Sequence, residues 1–211
     1  MYHIKVKIST ILNKLDSLRL LGKNEILFEY TECPEYKTTN TPPQDALWKP
    51  FEKGMRFTGC DTHYWVHFKI EPLAEVSDLE YRLNVKTRRE GQWDACNPQC
   101  TVFINGKTVQ ALDVNHTWLP LETEKELDVF MYVYTGNGDG GCFNFEVTVD
   151  SVDLRTEALY YDVKVPYLSM VALDEKSYDY IKIRDALDKA LLKLDLREVY
   201  SEEYYKSTQL V

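Results

Sequence analysis

The fold is decided by the stretch Thr62-His63-Tyr64-Trp65-Val66-His67-Phe68-Lys69-Ile70. In an extended chain successive side chains point to opposite faces, so the even-numbered residues from Tyr64 to Ile70 form one apolar face. The odd-numbered residues, from His63 to Lys69, form a second face of histidine, tryptophan and lysine. The stretch therefore predicts a half-buried strand.

The same alternation recurs in short segments that are separated by turn residues. These segments cover residues 25–30, 79–86, 102–104, 127–134 and 143–149. Asn105-Gly106 gives the strongest hairpin signal, because a type I′ turn requires a positive φ at both central residues. The prolines between residues 31 and 50 predict a long wrapping loop. No helical pattern occurs between residues 23 and 155, so we expect a mainly β fold with an antiparallel jelly-roll or β-sandwich domain over residues 25–155.

Helices are predicted on both sides of this domain. Apolar residues at helical spacing indicate an N-terminal helix over residues 3–21, with Gly22 as its stop. We expect this segment, residues 1–24, to pack its apolar stripe on the β domain. Residues 156–211 are predicted to form a helical segment. Pro166 predicts a kink or a boundary in its first helix, and a second helix is predicted over residues 175–195. No apolar period occurs after residue 197. The first helix of that segment is indicated by a repeat of small and apolar residues: Ala158, Tyr161, Val165, Leu168 and Ala172.

Composition narrows the classes of partner. The 211 residues are 44% hydrophobic and carry a formal net charge of -9, which repels phosphate backbones and anionic lipids. We therefore expect neither a nucleic-acid partner nor a membrane partner. The first seven residues alternate charged and apolar side chains and do not resemble a secretion signal, so we expect a cytoplasmic protein whose five cysteines are free thiols.

Three motifs have the spacing of metal-binding or nucleotide-binding sites, but we interpret each of them as having a structural role. His63 and His67 have the spacing of a helical zinc pair, but on a strand they lie about 13 Å apart. We interpret them as part of an ordinary outer sheet face, with a polar-aromatic ligand surface as the alternative. Cys96-x-x-x-Cys100 would need two more zinc ligands, such as Asp113 and His116, and is interpreted as a pair of loop thiols. The glycine-rich residues 136–141 lie between predicted strands and are interpreted as a hairpin loop.

One polar loop is a candidate binding site. The sequence contains neither a Gly-x-Ser-x-Gly elbow nor a His-Glu-x-x-His set, so we identify no catalytic residue. Planar hydrogen-bonding groups beside an aromatic face are suited to sugars, and they occur together in Asp113, Asn115, His116 and Trp118. The alternative is a structural loop whose side chains cap neighbouring strands.

A family resemblance is carried by four parts of the sequence. They are the run Val109-Gln110-Ala111-Leu112-Asp113-Val114-Asn115-His116, residues 102–106, residues 62–68, and Leu47-Trp48-Lys49-Pro50 with Gly54. The sequence resembles the N-terminal β domain of glycoside hydrolase family 38 α-mannosidases of the cytosolic and bacterial branch. The likeness extends over nearly the whole chain, with residues 156–211 corresponding to the connector that leads into the catalytic domain. The resemblance implies a retaining, zinc-dependent, exo-acting enzyme that hydrolyses terminal α-mannosides.

The family's zinc ligands and nucleophilic aspartate belong to a barrel that begins with a His-x-His-x-Asp segment, and these 211 residues contain no such segment. We therefore expect this chain to be an inactive N-terminal fragment without a cofactor of its own. The resemblance implies that it packs on the catalytic domain of the same polypeptide, helps to shape the substrate cleft through residues 113–118, and supports oligomerisation. Two alternatives remain: a free-standing carbohydrate-binding jelly-roll module, and a small jelly-roll enzyme that uses His63, His67 or His116 with a metal. The accessory domain predicts a bare apolar surface, whereas the module predicts a polar exterior and binding of an oligosaccharide.

Overall fold

The computed structural model describes residues 2–33, 42, 45–87, 98–122, 124–137 and 142–211. The helices are α1 (Tyr2–Leu18), α2 (Leu154–Val171), α3 (Tyr178–Leu191) and α4 (Glu202–Thr208). The strands are β1 (Leu20–Glu25), β2 (Glu29–Cys33), β3 (Lys49–Pro50), β4 (Phe57–Thr58), β5 (His63–Ile70), β6 (Leu79–Lys86), β7 (Gln99–Ile104), β8 (Lys107–Leu112), β9 (Trp118–Pro120), β10 (Leu127–Tyr134), β11 (Cys142–Phe143) and β12 (Glu146–Asp153).

The chain divides into two compact units. A β unit contains residues 23–76 and 81–150, and a helical unit contains residues 1–22, 77–80 and 151–211. The expected division was into residues 1–24, 25–155 and 156–211. The structure corrects it, because the N-terminal helix and the C-terminal helices belong to the same unit.

The β unit is built on a six-stranded sheet of order β3-β2-β5-β10-β7-β8. Its central pair is antiparallel, from Leu127 opposite Ile70 to Tyr134 opposite His63. A second sheet has the order β1-β12-β6-β9, and β4 pairs with β11. Side chains of both larger sheets share one core, which includes Val66 and Met131 from the first sheet and Leu83 and Val147 from the second. The prediction of antiparallel sheets is therefore confirmed, whereas the jelly-roll architecture stays a prediction.

The stretch that predicted the fold forms β5, and its even-numbered side chains lie in this core as expected. The expectation of an exposed opposite face is wrong at the start of the strand. His63 and Trp65 are buried, and Trp65 is only 1% exposed, because Phe103 and Tyr132 pack beside its ring at centroid distances of 5.5 and 5.1 Å.

The Asn105-Gly106 hairpin is confirmed. Asn105 and Gly106 have φ values of 50° and 76°, and they join β7 to β8. The backbone N–H of Asn105 donates to the carbonyl of Asp128, and the N–H of Asp128 donates to the Asn105 side chain, each over 2.9 Å. The turn is therefore anchored to the start of β10.

The helical unit has its own core, and this corrects the partner expected for the N-terminal helix. Ile8, Leu12 and Leu15 of α1 pack in one cluster with residues of α2 and α3 such as Leu159 and Leu187. Two adjacent helices with apolar faces can cover a helical stripe along its length, which explains this choice of partner.

The residues that follow α1 also differ from the prediction. The helix ends at Leu18, and Gly22 lies inside β1 instead of stopping the helix. The carbonyl of Arg19 accepts a 2.9 Å hydrogen bond from the N–H of Asp153 at the end of β12. Strand pairing therefore starts where the sequence pattern still suggested a helix.

The C-terminal helices begin at side-chain caps. Asp153, Ser177 and Ser201 each accept a hydrogen bond from a backbone N–H in the first turn of α2, α3 and α4, respectively. The helix predicted over residues 175–195 is confirmed as α3. The boundary suggested at Pro166 is wrong because α2 continues through that residue. Helix α4 lies within the predicted helical segment of residues 156–211, but its bounds were not predicted, since it is seven residues long and has no apolar period.

Candidate functional site

Aromatic and polar side chains form rows on the outer face of the six-stranded sheet, the face opposite the core. Residues directly opposite each other on antiparallel strands share a face, so the register of β5, β10 and β7 defines these rows. The rows are His63–Tyr134–Gln99, Trp65–Tyr132–Thr101 and His67–Phe130–Phe103. We call this surface the aromatic face.

A pocket of about 380 Å³ opens at one end of the aromatic face. Its lining consists of Asp61, His63, Gln99, Cys100, Thr101, Ala111, Tyr132 and Tyr134. A cavity of this size is at the small end of the range of small-molecule sites. We take this pocket as a candidate site of the β unit.

The imidazole of His63 is held firmly within the pocket. Its Nδ1 lies 2.9 Å from the hydroxyl oxygen of Tyr132, and its ring is stacked with the rings of Tyr132 and Tyr134 at interplanar angles of 17° and 25°. His63 is 8% exposed. The three rings therefore form a fixed stack with hydroxyl groups at its edges.

Tyr134 and Asp61 form the polar rim of the pocket. Partial burial and a hydrogen bond to the Asp61 carboxylate raise the pKa of Tyr134, so its hydroxyl stays protonated at neutral pH. Asp61 has a φ of 53°, and its backbone N–H donates to the carbonyl of Gly136 over 2.9 Å. The backbone thus fixes the position from which this carboxylate faces Tyr134.

His67 has different partners and is separate from His63. Its Nδ1 lies 2.7 Å from Glu29 Oε1 on β2, and its Nε2 lies 2.8 Å from Asp128 Oδ1 on β10. Its ring is stacked on Phe130 at 4.3 Å. His67 therefore ties three neighbouring strands together, and both of its nitrogens are used in doing so.

The predicted binding loop is organised by Asp113. The Oδ1 of Asp113 accepts hydrogen bonds from the backbone N–H groups of Asn115 and His116 over 2.8 and 2.7 Å, and it lies 3.1 Å from His116 Nδ1. Burial opposes ionisation of Asp113, but these donors outweigh it and lower the pKa of the carboxyl group. The carboxylate therefore caps its own loop.

The structure does not place Trp118 with the rest of that loop as an open aromatic platform. Trp118 lies on β9 opposite Asn84, and the guanidinium carbon of Arg82 lies 3.9 Å from the centre of its ring. One face of the indole is therefore covered by a cation. His116, by contrast, has a side chain that is 73% exposed and available for contact.

The structure describes only Cys100 of the two residues in the cysteine motif. Cys100 lies in the core, and burial raises the pKa of its thiol to about 12. Cys96 lies outside the described residues, as do residues 138–141 of the glycine-rich loop. Within the described ranges, no cluster of three or more His, Cys, Asp or Glu side chains could hold a metal ion.

The sequence did not single out Asp61, Gln99, Tyr132 or Tyr134. The alternation of residues 127–134 predicted a strand, but it did not show which strands lie beside β10 or in which register. With the pairing known, a search for polar and aromatic residues opposite His63 would have found Tyr134 and Gln99.

Comparisons with known proteins add no assignment. No protein-family model matches the chain, and no curated protein matches it. In the part of the chain that the structure describes, no helix combines the length and apolar character needed to cross a membrane.

Proposed function

We propose that this chain is a non-catalytic N-terminal region of a retaining, zinc-dependent α-mannosidase. Its role is to pack on the catalytic domain of the same cytoplasmic polypeptide. The zinc ligands and the nucleophile then belong to that catalytic domain, and the β unit is its jelly-roll domain. The sequence resemblance suggests this function, and the surface of α2 supports it.

Helix α2 has an apolar stripe on each of two faces. The inner stripe packs in the helical core and contains Leu159, Val163 and Met170. The outer stripe consists of the five residues whose spacing predicted the helix, and all five are exposed: Ala158, Tyr161, Val165, Leu168 and Ala172. Tyr161, Val165 and Leu168 are 47%, 59% and 54% exposed.

A second apolar stripe is unusual for a helix on the surface of a complete domain. Such a helix normally turns charged and polar residues outward, whereas a helix that is apolar all round is covered on all sides. The outer stripe is the bare apolar surface expected of an accessory region that packs on another domain. It is the observation that favours this proposal over a free-standing module with a polar exterior.

The proposal is tested with Val165→Lys, which places a charge in the centre of the outer stripe. Asp162→Asn is the control, because it changes the net charge by the same amount at an exposed position beside the stripe. Residues 1–211 alone should tolerate both changes with the same melting temperature, since Val165 is exposed there.

In the protein produced from the complete gene, Val165→Lys should lower the melting temperature and the hydrolysis of 4-nitrophenyl α-D-mannopyranoside, because a lysine would be buried without a partner. Asp162→Asn should change neither. Equal behaviour of the two variants in that protein would contradict the proposal, and so would hydrolysis of the mannoside by residues 1–211 alone.

A further inference from the structure

We propose that the pocket lined by Asp61, His63, Gln99, Tyr132 and Tyr134 binds a single neutral pyranose ring through its hydroxyl groups. The site lies on the aromatic face of the β unit, away from the residue 113–118 loop that the sequence singled out. This inference depends only on the β unit and not on the α2 surface.

The charge of the pocket argues against anionic ligands. The described residues that line it include no lysine or arginine, and they include the carboxyl group of Asp61. A phosphate or carboxylate ligand would meet this carboxyl group without a lysine or arginine among the described lining residues to compensate for its charge. A neutral ligand avoids that cost.

The arrangement of the rings argues against a cage for an organic cation. Such a cage presents ring faces to its ligand. Here His63 lies within 5.3 Å of Tyr132 and 5.0 Å of Tyr134, centroid to centroid and nearly parallel, so the ring faces that these residues turn toward one another are not open to a ligand. Both tyrosines also line the pocket, and their hydroxyl groups are able to donate and accept hydrogen bonds.

The remaining groups match a ligand that is rich in hydroxyls. The Asp61 carboxylate accepts hydrogen bonds, the Gln99 amide donates and accepts, and the hydroxyl of Thr101 does both. A pyranose hydroxyl can also act as donor and acceptor at once. The pocket volume of about 380 Å³ is too small for a long oligosaccharide to be enclosed, so one ring is the unit that we expect to be held.

The pocket is also preorganised. His63 is fixed by Tyr132, Tyr134 by Asp61, and Asp61 by its backbone bond to Gly136. Side chains that are already held in place lose little conformational freedom when a ligand binds. This organisation favours a binding site over an incidental surface depression.

The test is a titration of the isotopically labelled chain, followed through the aromatic NMR signals of His63, Tyr132 and Tyr134. The probes are the methyl pyranosides of mannose, glucose and galactose, with tetramethylammonium chloride and inorganic phosphate as comparisons. We expect at least one pyranoside to shift these signals in a saturable manner, and neither ion to do so.

Two variants place the binding in the pocket. Tyr134→Phe removes one hydroxyl and keeps the ring, and Gln99→Ala removes an exposed amide side chain. Each should weaken pyranoside binding about fivefold, the effect of one lost hydrogen bond between neutral groups. Tyr178→Phe, the same chemical change at a residue of α3 that is 74% exposed, is the matched control and should leave the affinity unchanged.

The proposal is overturned if none of the three pyranosides shifts the pocket signals, whether or not tetramethylammonium or phosphate shifts them. It is also overturned if the shifts persist with equal affinity in both Tyr134→Phe and Gln99→Ala. None of these results would affect the proposal for α2, which belongs to the other unit and is tested by different variants.

Discussion

Tyr205 donates a hydrogen bond from its hydroxyl to Oδ2 of Asp153 over 2.8 Å, and this bond ties α4 to the start of α2. The same carboxylate oxygen accepts a 2.7 Å bond from Thr156, and Asp153 is 2% exposed. A buried carboxylate is costly unless its oxygens are satisfied, so Tyr205 and Thr156 make this cap possible.

The stability of the helical unit should therefore fall at alkaline pH. Burial, followed by the bond to Asp153, raises the pKa of Tyr205 to about 12. A raised pKa in the folded state contributes stability that is complete below the unfolded value of about 10 and is lost as the pH approaches the folded value. We expect the free energy of unfolding, measured in urea, to decrease between about pH 10 and pH 12.

Tyr205→Phe isolates this contribution. At neutral pH it should lower the free energy of unfolding by about 1 kcal/mol for the lost hydrogen bond, and it should flatten the alkaline decline. Tyr178→Phe is the control, because Tyr178 is 74% exposed. If both variants decline with pH as the wild-type chain does, the Tyr205–Asp153 bond has no such role.

Removing the side chain of Asp113 should affect the loop at residues 113–116 more than removing the side chain of His116. Asp113→Ala removes the acceptor of two backbone hydrogen bonds, so the amides of Asn115 and His116 should exchange with solvent much faster. His116→Ala should leave their protection nearly unchanged, since that side chain is mostly exposed. In an active enzyme that contains this region, lower activity of His116→Ala at unchanged stability would place the loop in the substrate cleft, and unchanged activity would exclude it.

Acid should have the same effect as Asp113→Ala. The lowered pKa of Asp113 means that its capping contribution is present above the usual aspartate pKa of about 4 and is lost as the pH falls through the lower, folded value. Exchange of the Asn115 and His116 amides, corrected for the intrinsic rate, should therefore accelerate below about pH 4. Protection that is unaffected by acid would contradict the capping role.

The described cysteine thiols should differ sharply in reactivity. Cys60 is exposed, whereas Cys33 and Cys100 are 5% and 2% exposed. Because burial also raises the pKa of Cys100, its thiolate is scarce at neutral pH. Iodoacetamide should label Cys60 first in the native protein, as read from peptide masses. Labelling of Cys100 at the same rate would contradict its position in the core.

Two glycines with positive φ should tolerate a methyl group to different extents. At Gly106 (φ +76°) a Cβ meets nothing within 4 Å, so Gly106→Ala should cost only the backbone strain of about 1 kcal/mol. At Gly59 (φ +119°) the Cβ would overlap the Thr62 hydroxyl, so Gly59→Ala should cost at least about 2 kcal/mol. Urea unfolding of both variants checks the order, and an equal loss would contradict the packing at Gly59.

The parts of the fold that could be predicted are those that local physics controls. Alternation over residues 62–70 requires a strand because only that geometry separates the two sets of side chains, and Asn105-Gly106 tolerates the positive φ of a tight hairpin. These features depend on neighbours in the sequence and so are visible in it.

The remaining features depend on distant neighbours. The spacing of Tyr161, Val165 and Leu168 correctly indicated a helix, but a helix with two apolar stripes does not show which stripe is buried. The burial of Trp65 depends on Phe103 and Tyr132, and the pocket depends on the register that sets Tyr134 beside His63. Within the candidate loop, the sequence showed neither that Asp113 serves as a cap nor that Trp118 packs on Arg82, and the binding role of this loop stays a prediction.

The proposed function depends on the claim that a catalytic domain covers the outer stripe of α2. Reading the coding sequence downstream of the codon for Val211 tests this claim. We expect an open frame that encodes a His-x-His-x-Asp segment at the start of a further domain. A stop codon directly after Val211, or a frame that continues into a domain without that segment, would contradict the proposed function.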